Sequence, residues 1–116
     1  MNFSEKIKKI VLMKSIEKIA MLTSYDFVTA TYLKESGIDV VLVGDSLGNV
    51  LLGYKNTLAV SMQDMLHHVG AVCRAGLPVS VVADMPNGSY SNPKIALENA
   101  KKFLGLGADA VKVEGA

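Results

Sequence analysis

Three short β-branched runs recur along the chain, and each closes on a carboxylate followed by a small residue or a turn: DVVLVGDS at 39–46, PVSVVADM at 78–85 and DAVKVEG at 109–115. Continuous valine-rich stretches of this length suit strands buried on both faces, as in a parallel sheet. IAMLTSYD at 19–26 is a fourth run, more mixed in composition. Helical patterns separate them. Asp26 is placed to cap a helix over 27–36, with Gly37 just past its end. Ser61 caps a second helix, which runs to Ala75 before Gly76, with Met62, Met65, Leu66, Val69, Val72 and Cys73 at three- and four-residue spacing. Asn92 caps a third, running to Leu106. It has Pro93 in the first helical position and Ile95, Ala96, Leu97, Ala100, Phe103 and Leu104 on one side, with Gly107 beyond. A further helix over 4–14 puts Phe3, Ile7, Ile10 and Val11 on one face.

The order is therefore helix, then β-α-β-α-β-α-β. Such alternation implies an α/β fold with parallel strands and right-handed crossovers. A doubly wound sheet and a (β/α)8 barrel both satisfy it. No G-x-G-x-x-G follows the first strand, which argues against a dinucleotide-binding unit.

Composition narrows the function classes. The 116 residues carry 12 basic and 11 acidic side chains, and half are hydrophobic, so the chain is neither disordered nor equipped with a basic surface for nucleic acid. One cysteine, Cys73, excludes an internal disulfide and any multi-cysteine metal site, and fits a reducing compartment. The N-terminal stretch spaces its apolar residues among Lys6, Lys8 and Lys9, unlike a secretory signal. No run approaches the roughly 18 apolar residues of a membrane helix. The expectation is a cytoplasmic protein with no membrane and no nucleic-acid partner.

Asp45, Asp84 and Glu114 occupy equivalent points at the ends of three successive strands. Sites in parallel α/β folds form at the carboxyl ends of strands, where the connecting loops converge. Three carboxylates gathered there repel one another, and a divalent cation offsets the repulsion. Mg²⁺ suits a few carboxylates with positions left for substrate oxygens. Lys112 lies two residues before Glu114, so strand alternation sends both to one face. A lysine aimed into a barrel interior needs an anion, which a substrate carboxylate or keto oxygen beside the metal would supply. Each aspartate alone reads more simply as a turn or cap residue. The register of three, with the lysine, favours chemistry.

Other candidates are weaker. His67 and His68 are adjacent on a helix and point in different directions, so they cannot share a metal; the default is one partly buried and one solvated ring. Cys73 reads as a small core residue. Ser46 has a hydroxyl and amide that could bind a substrate oxygen, with no triad order around it to make it a nucleophile. Gly44, Gly48 and Gly53 suit either a loop close to a ligand or simple turns. Met62 and Met65 read as core.

The segments MLTSYDF (21–27), VLVGDSLGNVLLGYKNTLAVSMQDMLHHVGAV (41–72), VVADMPNGSYSNP (81–93) and GADAVKVEGA (107–116) together resemble the ketopantoate hydroxymethyltransferase family, from about Ile19 to Ala116. The resemblance implies that residues 1–116 form one partial domain, the first half of a (β/α)8 TIM barrel with an N-terminal helix over 4–14. It implies transfer of a hydroxymethyl group from 5,10-methylenetetrahydrofolate to 3-methyl-2-oxobutanoate, giving 2-dehydropantoate for pantothenate biosynthesis. Mg²⁺ is expected on Asp45, Asp84 and Glu114, and the 2-oxo acid on Asp45, Ser46, Asp84 and Lys112. The metal would stabilise an enolate at C3. A homo-oligomer is expected. Barrels of this kind run to about 250 residues, and the family's general base, a glutamate of the second half, has no counterpart here. A loss of roughly 10²–10⁴ or more is expected for proton removal without it, so the 116 residues are expected to bind without turning over. Asn87 departs from the apolar or aromatic residue of relatives. A non-catalytic half-barrel, or a phosphoenolpyruvate mutase/isocitrate lyase-like enzyme, is the alternative.

Overall fold

In the computed structural model, which describes residues 4–115, the chain begins with helix α1 (Glu5–Met13) and strand β1 (Met21–Thr23). Helix α2 (Phe27–Leu33), strand β2 (Val40–Val43) and a one-turn helix α3 (Leu47–Val50) follow. A 3₁₀ turn at Thr57–Ala59 leads into α4 (Met62–Cys73), β3 (Ser80–Asp84), α5 (Pro93–Leu106) and β4 (Ala110–Lys112). Phe3, assigned above to the apolar face of α1, lies outside the described residues, as does Ala116.

The four strands form one parallel sheet in the order β1-β2-β3-β4. Sequential parallel order with intervening helices is the plan of half a (β/α)8 barrel. The register sets Val43 beside Ala83 and Asp84 beside Lys112, so the last residues of β2, β3 and β4 converge at one end. The lower ends of two strands share a device. Asp39, just before β2, accepts the Ala20 amide at 2.9 Å, and Asp109, just before β4, accepts the Val81 amide at 2.9 Å. Each aspartate ties its strand to the preceding one and fixes the register that aligns the upper ends.

The caps anticipated from the sequence are present. Asp26 accepts the Thr29 amide at 2.7 Å and Asn92 accepts that of Ile95 at 2.9 Å, each satisfying a free N–H of a first turn. The Asp26 carboxyl lies below the ordinary range, chiefly because of that Thr29 amide bond. Ser61 and Asp64 form a reciprocal capping box on α4. Ser61→Ala should lower stability by about 1 kcal/mol, measurable as a shift in denaturation midpoint at unchanged slope.

Three boundaries and faces differ from expectation. Helix α2 stops at Leu33, three residues early, because the Ser36 hydroxyl and amide both bond to the Leu33 carbonyl and divert the chain into a turn. In α1, Ile7 and Ile10 are half-buried as expected, but Val11 is exposed and the fully buried residue is Met13, one turn beyond Ile10. In α5 only Phe103 is fully buried, while Leu97 and Leu104 face outward.

The core lies between the sheet and α4. Val41, Val43, Val81 and Ala83 meet Met65, Val69 and Val72, with Leu47, Val60 and Phe103 closing the sides. Strand β1 is different: Met21 and Leu22 are each about half exposed, and β1 and β4 are the sheet's edges. Those edges are what further strands cover in an eight-stranded barrel.

Candidate active site at the strand ends

Parallel strands held in register deliver their terminal side chains to a common edge, and here that edge carries charge. Asp45, Asp84, Lys112 and Glu114 line one cleft of 140 Å³, together with Thr57, Leu58, Met85, Asn87 and Tyr90. Asp84 is its centre and is only 5% exposed. Its Oδ2 accepts the Asp45 backbone amide at 3.0 Å, and its Oδ1 lies 2.9 Å from the Lys112 ammonium. That second contact is an ion pair without hydrogen-bond alignment, so Oδ1 remains a buried oxygen with an unfilled acceptor site. The Lys112 ammonium also lies 4.0 Å from Glu114, whose side chain is 83% exposed. Lys112 and Glu114 thus share a face, as strand alternation requires.

The charges perturb one another. Burial, and then repulsion from Asp84, push the Asp45 carboxyl above its ordinary range, with Lys112 partly offsetting. The close contact with the Asp84 carboxylate raises Lys112 above its ordinary value of 10.5, and Glu114 and Asp45 add to this. A base whose folded value is raised contributes stability that is complete below its unfolded value and lost as pH rises through the folded one. The melting difference between the native chain and Lys112→Met should therefore stay constant up to about pH 10 and shrink above it. A difference that shrank between pH 6 and 8 would contradict this.

The expected site residues are brought together unequally. Asp45, Asp84 and Lys112 converge, Glu114 stands at the rim, and Ser46 is not a wall of the cleft. The Ser46 hydroxyl instead lies 2.8 Å from the Tyr25 hydroxyl. Among the described residues, no three acidic, histidine or cysteine side chains are set closely enough to hold a metal ion. The donor chemistry nonetheless fits Mg²⁺: two hard carboxylates stand side by side, and burial followed by repulsion from Asp84 raises Asp45, a strain that a divalent cation would relieve. Glu114 would have to turn inward to complete the set.

The strand-end logic did not reach Thr57, Leu58 and Tyr90. The first two come from the 3₁₀ turn, whose approach requires Gly48: a Cβ there would collide with Val60. The Tyr90 hydroxyl donates to the Glu114 backbone carbonyl at 2.7 Å and ties the β3–α5 loop to the end of β4. Asn87 lies on that same loop. His67 is exposed and His68 half-buried, as the default reading held, and Met62 and Met65 pack in the core. Burial raises the Cys73 thiol, consistent with an inert packing role.

The family description of ketopantoate hydroxymethyltransferase matches residues 4–116. The chain belongs to this family. It is 54% identical over 112 residues to the 3-methyl-2-oxobutanoate hydroxymethyltransferase of Thermotoga maritima, which covers 96% of this chain and 40% of that protein. The enzyme of the same name from Syntrophomonas wolfei is 55% identical over 104 residues, or 88% of this chain and 38% of its own length. The chain thus spans about 40% of the length of the curated relatives it matches.

Among solved structures, a phosphoenolpyruvate phosphomutase from Streptomyces platensis superposes with a TM-score of 0.77 at 17% identity, over 95% of this chain and 38% of that one. A phosphonopyruvate hydrolase in complex with oxalate and Mg⁺⁺ gives 0.76 at 12% identity, over 94% and 38%. At such identities the likeness is one of fold. The four-stranded unit shares the fold of a segment that makes up 38% of each of those longer chains. Among the described residues, no helix is long and apolar enough to cross a membrane.

Proposed function

We propose that these residues form the metal- and 2-oxo-acid-binding part of a 3-methyl-2-oxobutanoate hydroxymethyltransferase. In this reading 5,10-methylenetetrahydrofolate gives its one-carbon unit to 3-methyl-2-oxobutanoate, and 2-dehydropantoate leaves for pantothenate biosynthesis. The protein works as a homo-oligomer in the cytoplasm. The observation that carries the reading is the convergence of Asp45, Asp84 and Lys112 on one cleft in a chain of this family.

Asp45, Asp84 and, from the rim, Glu114 are the residues that would hold Mg²⁺. When bound, the metal withdraws electron density from a 2-oxo acid and makes the proton at its C3 more acidic. Lys112 sets a positive charge beside Asp84, where a carboxylate or developing enolate oxygen would lie. Ser46 offers a hydroxyl next to Asp45 for the same ligand. Leu58 and Met85 give the cleft an apolar side, suited to a short branched alkyl group. Proton abstraction falls to a base in the remainder of the longer enzyme. These residues alone therefore bind rather than turn over, a reading favoured by their coverage of 40% of the relatives.

Backbone amide NMR tests this. Adding Mg²⁺ and then 3-methyl-2-oxobutanoate should move the signals of Gly44, Asp45, Ser46, Asp84 and Lys112 in turn. Shifts confined to other parts of the chain, or none, would overturn the reading.

A further inference from the structure

The Ser46 hydroxyl has an unusual allegiance. Ser46 stands at the N-terminus of α3, yet its side chain makes no capping bond to that helix. It meets the Tyr25 hydroxyl at 2.8 Å instead, across 21 residues of sequence. Tyr25 is held from several directions. The Ser24 amide before it donates to Leu42 of β2 at 3.0 Å, and Asp26 after it caps α2. A ring nitrogen of His68, Nδ1, lies 2.7 Å from the Tyr25 carbonyl, so α4 holds the backbone that carries the phenol. The ring is half-buried against the core. The phenol is therefore a braced arm ending at Ser46.

Gly44 keeps this corner free of a side chain. A Cβ at this position would lie 3.1 Å from Ser46 Oγ and 3.4 Å from Asp84 Oδ2, so both oxygens crowd the same spot beside the β2 terminus. The Ser46 hydroxyl and the cleft's central carboxylate thus both border Gly44, although Ser46 forms no wall of the cleft.

We propose that Tyr25 is a positioning residue for Ser46, with His68 fixing Tyr25 in turn. A serine hydroxyl has one proton and two acceptor sites. When the Tyr25 phenol donates to Ser46 Oγ, it fixes the side-chain rotamer and leaves the single Ser46 proton for an anionic oxygen in the cleft. This rests on the reading that Ser46 contacts the 2-oxo acid.

The test is a double-variant cycle on the full chain, with Tyr25→Phe, Ser46→Ala and both together. It is read by calorimetric affinity for 3-methyl-2-oxobutanoate in Mg²⁺. Each single variant should weaken binding by about three- to ten-fold, the scale of one net hydrogen bond. The double variant should bind no worse than Ser46→Ala alone, because Tyr25 acts through Ser46. Losses that multiply, or a Tyr25→Phe chain that binds like the native one, would overturn the proposal. A second readout needs no ligand: the ζ-carbon NMR signal of labelled Tyr25 should move in Ser46→Ala, and an unmoved signal would also overturn it. Absence of binding by the native chain overturns the functional reading beneath, while the tyrosine signal still decides whether the phenol holds the hydroxyl.

Discussion

Asp84→Asn should abolish most Mg²⁺-dependent binding of 3-methyl-2-oxobutanoate, weakening it by about 100-fold, or ~2.8 kcal/mol. The size follows from how many partners share one carboxylate. Asp84 accepts the Asp45 amide on Oδ2, pairs with the Lys112 ammonium through Oδ1 and lines the cleft. An asparagine retains one acceptor, which the Asp45 amide would take. Its NH₂ would then face Lys112, donor against donor. The expected stability loss is about 1–3 kcal/mol, below the range for a fully buried pair because the Lys112 side chain is 42% exposed. Calorimetric titration and thermal melts of the same preparation separate the two effects. A variant destabilised by that amount but binding normally would remove Asp84 from the site.

Phe103→Ala should cost about 3–5 kcal/mol. Phe103 has no exposed surface and is the one fully buried side chain of α5, which packs on α4 and leads directly into β4. The cavity would loosen α5 and, with it, the strand that delivers Lys112 and Glu114. A domain typically has only about 5–15 kcal/mol to lose, so the variant should melt far earlier and show lost amide protection in α5 and β4. By contrast, Leu97→Gln should change stability by less than about 0.5 kcal/mol, since Leu97 is 57% exposed. Equal effects at both positions would mean that α5 packs differently from this account.

That contrast marks where the sequence was legible and where it was not. The strands announced themselves because Val41, Val43, Val81 and Ala83 are buried in a parallel sheet, and burial on both faces writes a continuous apolar run. The caps at Asp26, Ser61 and Asn92 were legible because they are local chemistry. The three carboxylates and Lys112 could be placed at one end because strand register follows from order. The inward face of α5 could not be read: periodicity shows an apolar stripe, but which part is covered depends on neighbouring elements. The short α3 helix and the 3₁₀ turn, with Thr57 and Leu58 in the cleft, were hidden in a glycine-rich stretch without period. The Tyr25–Ser46 contact spans two strand ends, and no local signal encodes a pairing of that kind. The ties from Asp39 and Asp109 had a faint signal, an aspartate opening two of the valine runs.

The family, the fold and the cleft meet in a single claim, that these residues bind a short branched 2-oxo acid through Mg²⁺. Its most direct test is calorimetric titration of the chain with 3-methyl-2-oxobutanoate, with Mg²⁺ and then with EDTA, using phosphonopyruvate as a competitor. The account predicts saturable one-site binding only with Mg²⁺, weakened in Lys112→Met and Asp84→Asn, and little competition from phosphonopyruvate. Binding that persists in EDTA, favours phosphonopyruvate or is absent altogether would contradict it.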